Sequence, residues 1–383
     1  MRTTHGHTGW RGRVRAALER PGLSAGQERI FNATLAVVVA LFVVGWSVAI
    51  AATVAEGPAA APPTPLLSTR VVANPLAPDA APDASYVLGA ATEALFRATA
   101  LRGESGKVRV VVTPPGGTLP FPDTLPPSAR IGYRPRGGAA PPTEGVTPPR
   151  SPGIWNVVLR LGDAAREVPD LSVITLVPLS AKRGGRIGAY RIGSWPYERG
   201  GRPRSPAYQP PAGLVRVTPG NLGLPLSEHI RLGDFVTKGQ TNVWPKYVAL
   251  QPRVLDKVEL TLQELEREGH PVEHLGVISA FRTPNYNETG GNPAGRAALS
   301  RHMYGDAMDL YIDNDRNGCM DDLNGDGKAD VRDARILGRA AERVEREHPS
   351  LVGGVGVYAP TGAHCGFVHI DTRGYRARWG PWG

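Results

Sequence analysis

SRHMYGDAMDLYID, residues 300–313, carries two side chains on which the reading of this chain turns. His302 and Asp309 stand seven residues apart, with Gly305 and Ala307 between them. A neutral imidazole and a carboxylate are both good zinc ligands, and three protein ligands leave the open coordination position that a hydrolytic zinc needs. A third ligand is offered by GGVGVYAPTGAHCGFVHIDTRGYRARWG, residues 353–380, where His369 and Asp371 fall inside an alternating strand pattern. Taken singly, a histidine is more often a hydrogen-bonded structural residue than a ligand, and spacing alone does not establish a metal.

Upstream of this pair, residues 253–268 place Val254, Leu255, Val258, Leu262 and Leu265 at helical spacing, with Gly269 as the stop. The apolar run 275–279 predicts a strand leading into AFRTPNYN at 280–287. A buried strand that ends in a polar loop is where an α+β fold displays working residues, here Arg282. Further back, KVRVVV (107–112), IWNVVLRL (154–161), LSVITLV (171–177) and RIGAYRIG (186–193) are β-branched and aromatic runs separated by Gly/Pro turns. They predict a small all-β domain of sandwich type, with the proline- and glycine-rich 113–152 as long loops or an edge. No cluster of His, Cys or acids falls there, which fits a spacer or docking module, or else a surface binding glycan or peptide.

The 383 residues are enough for two or three units. With 41% apolar and 21% charged residues, a wholly disordered chain is excluded, although 47 glycines and 37 prolines require linkers. No charge occurs from Ile30 to Ala55, long enough to cross about 30 Å of hydrocarbon. Arg2, Arg11, Arg13, Arg15, Arg20 and Arg29 precede it against only Glu19 and Glu28, which keeps the N-terminus cytoplasmic and puts everything after the span outside. The apolar run is longer than a signal peptide's, though small residues at 49–52 leave cleavage open. The expected order is a basic cytoplasmic segment (1–29), a transmembrane helix (30–55), an extended Ala/Pro-rich stalk (56–85), the β domain (86–205) and an α+β domain with antiparallel sheet and helices (206–383). This predicts a single-pass protein of the cytoplasmic (inner) membrane, its later domains in the periplasm or cell-wall space. The net charge of +9 suits an acidic polymer such as nucleic acid, anionic lipid or a wall polymer. Nucleic acid is the weakest of these, because no aromatic-interleaved basic stripe exists and the domains lie outside the membrane. Cys319 and Cys365 are too few for a disulfide scaffold or a four-cysteine zinc site; they form one bridge or remain two small buried hydrophobes.

The motif S-x-H-x-x-G-x-A-x-D (Ser300, His302, Gly305, Ala307, Asp309), with the late G-G-V-G-x-Y, G-F-V-H-I-D-T-R and R-x-W-G, resembles the zinc D-alanyl-D-alanine carboxypeptidase family of murein peptidases. The nearest likeness is to its periplasmic murein endopeptidase branch, related in fold to lysostaphin-type peptidases and the hedgehog domain. LSEHIRLGDFVTKGQ, PKYVALQPRVLDKVELTLQELEREG and VISAFRTPNYN look like the lead-in of that branch, so the likeness covers about 226–379. It implies a zinc peptidase acting on peptidoglycan, as endopeptidase or carboxypeptidase, with His302, Asp309 and His369 on the metal. It also implies that Arg282 binds substrate and neutralises the developing oxyanion. The chain departs from part of the family at Gly366, where several relatives carry an acid three residues before the last zinc histidine. Asp371, on the same strand face as His369, and His364, five residues before it, are then the candidates for general base. For Asp371 the other reading is an orienting partner of a zinc histidine. The same fold without working zinc would be a non-catalytic peptidoglycan-binding module, and the β domain would meet an envelope protein partner.

Between the two motifs runs DNDRNGCMDDLNGDGKADVRD, residues 313–333. Asp322, Asn324, Asp326, Gly327 and Asp333 match a D-x-N-x-D-G-x5-D calcium loop, with Lys328 offering its carbonyl and Asp330 at the ninth position. Position twelve is Asp rather than Glu, as in dockerin-like loops. The pattern predicts one calcium site; the alternative is a solvated acidic loop capped by a helix over about 331–347.

Overall fold

The computed structural model of the chain describes residues 84–121, 125, 128–203, 205–291, 293 and 296–382. The expected cytoplasmic segment, membrane span and nearly all of the stalk lie outside the described residues. Among those described, no helix is long and apolar enough to cross a membrane.

The N-terminal layer begins with helices α1 (Ala84–Arg97) and α2 (Thr99–Arg102). They are followed by strands β1 (Val110–Thr113), β2 (Arg130–Pro135), β3 (Thr143–Glu144), β4 (Gly153–Leu161) and β5 (Ala164–Thr175). The sheet order is β1-β5-β4-β2-β3, with β1 parallel to β5 and the other pairs antiparallel. The expected all-β sandwich is corrected here. Leu88, Ala91 and Leu95 line one face of α1 and bury with Val157, Leu159, Val168, Leu171 and Val173, so a helix rather than a second sheet covers this layer. The Ala-rich sequence of α1 continues the composition of the stalk, which hid its amphipathic face.

The expected domain boundary at 205/206 does not separate two cores. Strand β6 (Val177–Pro178) pairs with β9 (Gly213–Val217), which pairs in turn with β10 (Lys246–Val248). The run RIGAYRIG is a hairpin, not one strand: β7 (Arg186–Ile187) turns at Gly188, φ +56°, into β8 (Tyr190–Arg191). Its Ile187, Tyr190 and Ile192, with Trp195, belong to the same buried core as Val254, Met308 and Val368. Trp195 Nε1 also donates to the Met303 carbonyl at 2.7 Å. Residues from about 176 onward therefore pack with the C-terminal layer.

That layer is α+β. Helix α3 (Pro252–Arg267) starts with proline at its first turn and stops as expected at Gly269, φ +89°, where the His270 amide donates back to the Leu265 carbonyl. Its five expected apolar residues are all buried, each stabilising the fold by about 1.5–3 kcal/mol. After the short α4 (Pro284–Thr289) comes α5 (Val331–Glu347), capped by Asp330. The five-stranded sheet contains β11 (Leu275–Ser279), β12 (Ala307–Ile312), β13 (Gly354–Tyr358), β14 (Phe367–Asp371) and β15 (Ala377–Trp379), in the order β11-β12-β14-β13-β15. Met308, Leu310, Val368 and Ile370 share a core with Leu337 and Ala340 of α5. Alternation along the strands leaves Asp309 and His369 on the opposite face.

Candidate metal centre

Strand register gathers one residue from each strand of this sheet into a row. Ser279 stands opposite Asp309, Asp309 opposite His369, His369 opposite Gly356, and Gly356 beside Trp379. Opposed residues share a face, so ligands 60 positions apart in the chain meet side by side. Gly356 is required by what lies over it: a Cβ there would stand 2.3 Å from Trp379 Nε1, and the indole crosses this gap to sit 5.0 Å from the His369 ring. His302 arrives from a 3-10 turn, Arg301–Tyr304, that closes at Gly305 with φ +71°. A Cβ on Gly305 would stand 2.4 Å from the Ala249 carbonyl. Arg301 braces this turn, pairing with Asp306 in the interior while lying 4.8 and 4.5 Å from the Tyr208 and Tyr304 rings.

The converging atoms are all acceptors. His302 Nδ1 must donate to the Ala280 carbonyl at 2.6 Å, which leaves the lone pair of Nε2 facing inward. His369 Nε2 must donate to the Asp371 carboxylate at 3.0 Å, which turns the lone pair of Nδ1 to the same point. With Asp309 Oδ1 they form a triangle of edges 2.8, 3.1 and 3.1 Å. Three atoms this close are held together by a shared proton or by a cation among them. Tetrahedral zinc with bonds of about 2.0–2.1 Å spaces its ligands about 3.3 Å apart, so a small outward adjustment suffices. The two imidazoles differ in charge tendency. Burial lowers the His302 pKa and favours its neutral form. At His369 burial also acts downward, but hydrogen bonds to Asp309 and Asp371 outweigh it and raise the pKa, so a metal at Nδ1 would have to displace a proton; Asp309, despite its burial, is held well below the usual carboxylate range by the two imidazoles. His302, Asp309 and His369 thus form a possible metal-binding group.

No family model, curated protein or solved structure matches the chain.

Around the triangle, Arg282 Nη2 holds Asp309 Oδ2 while its Nε donates to Ser279 Oγ at 2.9 Å. The guanidinium therefore fixes which Asp309 oxygen faces the centre, and it also borders a cavity of about 310 Å³. Of the two readings for Asp371, its contacts are those of the orienting partner. It shares the face of His369 as expected, but it binds Nε2, the ring nitrogen remote from the triangle. Its oxygens are further engaged by the Gly354 amide at 2.8 Å and by the Arg373 guanidinium. Burial opposes its charge, yet His369 and Arg373 hold its pKa well below the usual range. Below it, the buried Lys257 ammonium donates to the Asp371 carbonyl at 2.7 Å and to Glu345. Asp371 thus stands behind the His369 imidazole and fixes its orientation. His364 lies on the preceding loop, its Nδ1 2.9 Å from the Cys365 carbonyl and its ring against Phe367 at 5.0 Å; it makes no contact with the triangle among the described residues.

Tyr358 was not singled out by the sequence reading. It shares the face of Gly356, stacks on Phe367 at 4.3 Å and accepts from Trp379 Nε1 at 2.8 Å. Burial raises its pKa and the Asp309 charge raises it further, so it is a neutral phenol with its own proton still to donate. The signal that could have found it is parity: Gly356 and Tyr358 alternate in the GGVGVY strand, as His369 and Asp371 do in theirs.

The acidic segment behaves differently. Asp322 accepts from the amides of Gly325, Asp326 and Gly327, Asn324 from that of Asp326, and Asp326 from that of Lys328. Asp333 accepts from Leu323, Asn324 and Asp330, while Arg332 pairs with both Asp326 (2.6 Å) and Asp330 (2.8 Å). Gly327 has the positive φ (+81°) of such a loop, but its carboxylates do not converge. The expected calcium set of Asp322, Asn324, Asp326, Lys328, Asp330 and Asp333 lies along this one hydrogen-bonded turn and the helix start; the acidic side chains of the segment that converge on one point are Asp313, Asp315 and Asp321. Of the two readings for the cysteines, the bridge is the one formed: Cys319 and Cys365 are joined, tying the acidic segment to the loop that precedes β14.

Proposed function

We propose that this chain is a membrane-anchored zinc peptidase that hydrolyses peptidoglycan stem peptides or cross-links, as an endopeptidase or a carboxypeptidase. The observation that carries the reading is the convergence of His302 Nε2, Asp309 Oδ1 and His369 Nδ1, each with its outer side fixed by another group. The motifs holding these residues are the ones that resemble the zinc D-alanyl-D-alanine carboxypeptidase family. When bound there, zinc would supply Lewis acidity to a peptide carbonyl and lower the pKa of a water. Arg282 and Asp371 keep two of the ligands in register, and the Arg282 guanidinium, bordering a cavity, is available to a substrate carboxylate or developing oxyanion. Tyr358 offers a hydroxyl proton to the same face. The charge-free 30–55 run and the arginines before it support a single-pass inner-membrane location, with the later domains in the periplasm or cell-wall space.

One observation favours a second reading, a peptidoglycan-binding module without catalysis: Gly366 offers no acid, and Asp371 turns to the far nitrogen of His369. Digestion of purified sacculi by the zinc-loaded chain, with muropeptides identified by mass, separates the two. The peptidase reading expects new stem-peptide products; retention on sacculi with no mass change would overturn it in favour of the module.

A further inference from the structure

A cleft of about 970 Å³ opens in the N-terminal layer, and none of the metal-centre residues lines it. An irregularity in β5 builds one wall. Glu167 stands opposite Val158 and Ser172 opposite Asn156, so five steps of β5 span only two of β4, and the extra residues swing out through Asp170 at φ +51°. Such bulges re-aim side chains and recur beside binding sites. The other wall is the turn that follows β9.

The charges lining this cleft do not balance. Its two carboxylates are already engaged: Asp170 pairs with Arg109 at 3.2 Å, and Glu167 accepts from Asn156 Nδ2 at 2.6 Å and pairs with Arg134 at 3.4 Å. Two further guanidiniums have no anion. Arg136 donates only to the neutral Ser172 hydroxyl at 2.8 Å, and the exposed Arg216 side chain has no partner among the described residues. Two buried atoms of the lining also lack any partner, the donor Arg109 Nε and the acceptor Asn156 Oδ1. Both lie beneath the surface of the wall, so the groups open to a ligand are the Arg136 and Arg216 guanidiniums.

We propose that this cleft binds an acidic peptide. Arg136 and Arg216 each take a carboxylate in the two-pronged geometry that guanidinium and carboxylate share. A single small anion engages one guanidinium at a time; a polypeptide with two or more carboxylates engages both. The volume is at the upper end for ligand sites, enough for a short extended segment. This inference stands apart from the peptidase reading and does not depend on a metal.

The test is fluorescence anisotropy of the purified full chain with a fluorescein-labelled Glu-Ala-Glu-Ala-Glu peptide at low salt. The proposal expects this peptide to bind about tenfold or more tightly than its Gln-Ala-Gln-Ala-Gln counterpart. It expects Arg216→Ala and Arg136→Ala each to weaken binding about tenfold, with metal content and melting temperature unchanged. Both residues are exposed, so the variants keep the fold. Equal binding of the two peptides, no binding at all, or undiminished binding in both variants would overturn the proposal. Displacement by inorganic phosphate at the peptide's own concentration would reduce the cleft to a simple anion site and overturn it as well.

Discussion

Two stretches of this chain look like metal motifs in the sequence, and they fold into opposite arrangements. His302, Asp309 and His369 come from a turn and two strands, and the sheet register brings three lone pairs to within 3.1 Å of one another. The carboxylates of 322–333 come from one loop, and they accept from that loop's own amides and from Arg332. The difference is one of competition. A strand residue has its amides bonded to neighbouring strands, so its side chain is free to face a common point. A short acidic loop has many unpaired amides within reach, and Asp and Asn side chains satisfy these first. Convergent groups whose far sides are already fixed suit a shared cation; carboxylates that first bind their own loop's amides are less free to converge on one.

That contrast can be broken most severely at Asp309. Asp309→Ala removes one corner of the triangle and the partner of Arg282, and hydrolysis of stem peptides should fall to background; activity within tenfold of the parent chain would show that the triangle is not the working centre. Next in size is Tyr358→Phe, which deletes the hydroxyl, and with it the acceptor of Trp379 Nε1, while keeping the ring stacked on Phe367. Turnover should drop about 10²-fold, at the low end for loss of a proton donor, with zinc content unchanged; normal turnover would exclude Tyr358 from the chemistry. Asp371→Asn should then show the signature of a positioning residue. Zinc affinity should weaken about 10–100-fold while turnover at saturating zinc stays within about tenfold. A loss of turnover beyond about 10²-fold with zinc fully bound would return Asp371 to the role of general base. The smallest effect is expected at the loop: calcium should shift the melting temperature of the chain only slightly, because Arg332, paired with Asp326 and Asp330, competes with the ion. A clear rise that Asp326→Ala abolishes would show that the loop carboxylates can be gathered after all.

Much of the C-terminal layer was legible in the sequence because local signals agree there. The apolar period of α3 with Pro252 and Gly269 at its ends, the short apolar run of β11 and the capped start of α5 each mark an element by themselves. The grouping of His302, Asp309 and His369 was legible through spacing and resemblance. Its detail was not: alternation puts Asp371 on the face of His369, but no sequence rule states which imidazole nitrogen turns inward. The N-terminal layer was misread because α1 shares its alanine-rich composition with the stalk. The hairpin within RIGAYRIG and the shared core across 205/206 depend on contacts distant in sequence, such as Trp195 with Met303. The disulfide was one of two open readings, since two cysteines 46 residues apart carry no sign of proximity on their own.

The comparison between the two regions is tested most directly by metal stoichiometry. The purified full chain is stripped with chelator, reloaded with zinc, freed of excess and analysed for metal, alongside His302→Ala and Asp326→Ala. One zinc per chain is expected in the parent and in Asp326→Ala, and less than about a tenth of that in His302→Ala. A full complement in His302→Ala, or its loss in Asp326→Ala, would contradict the assignment of the centre to His302, Asp309 and His369.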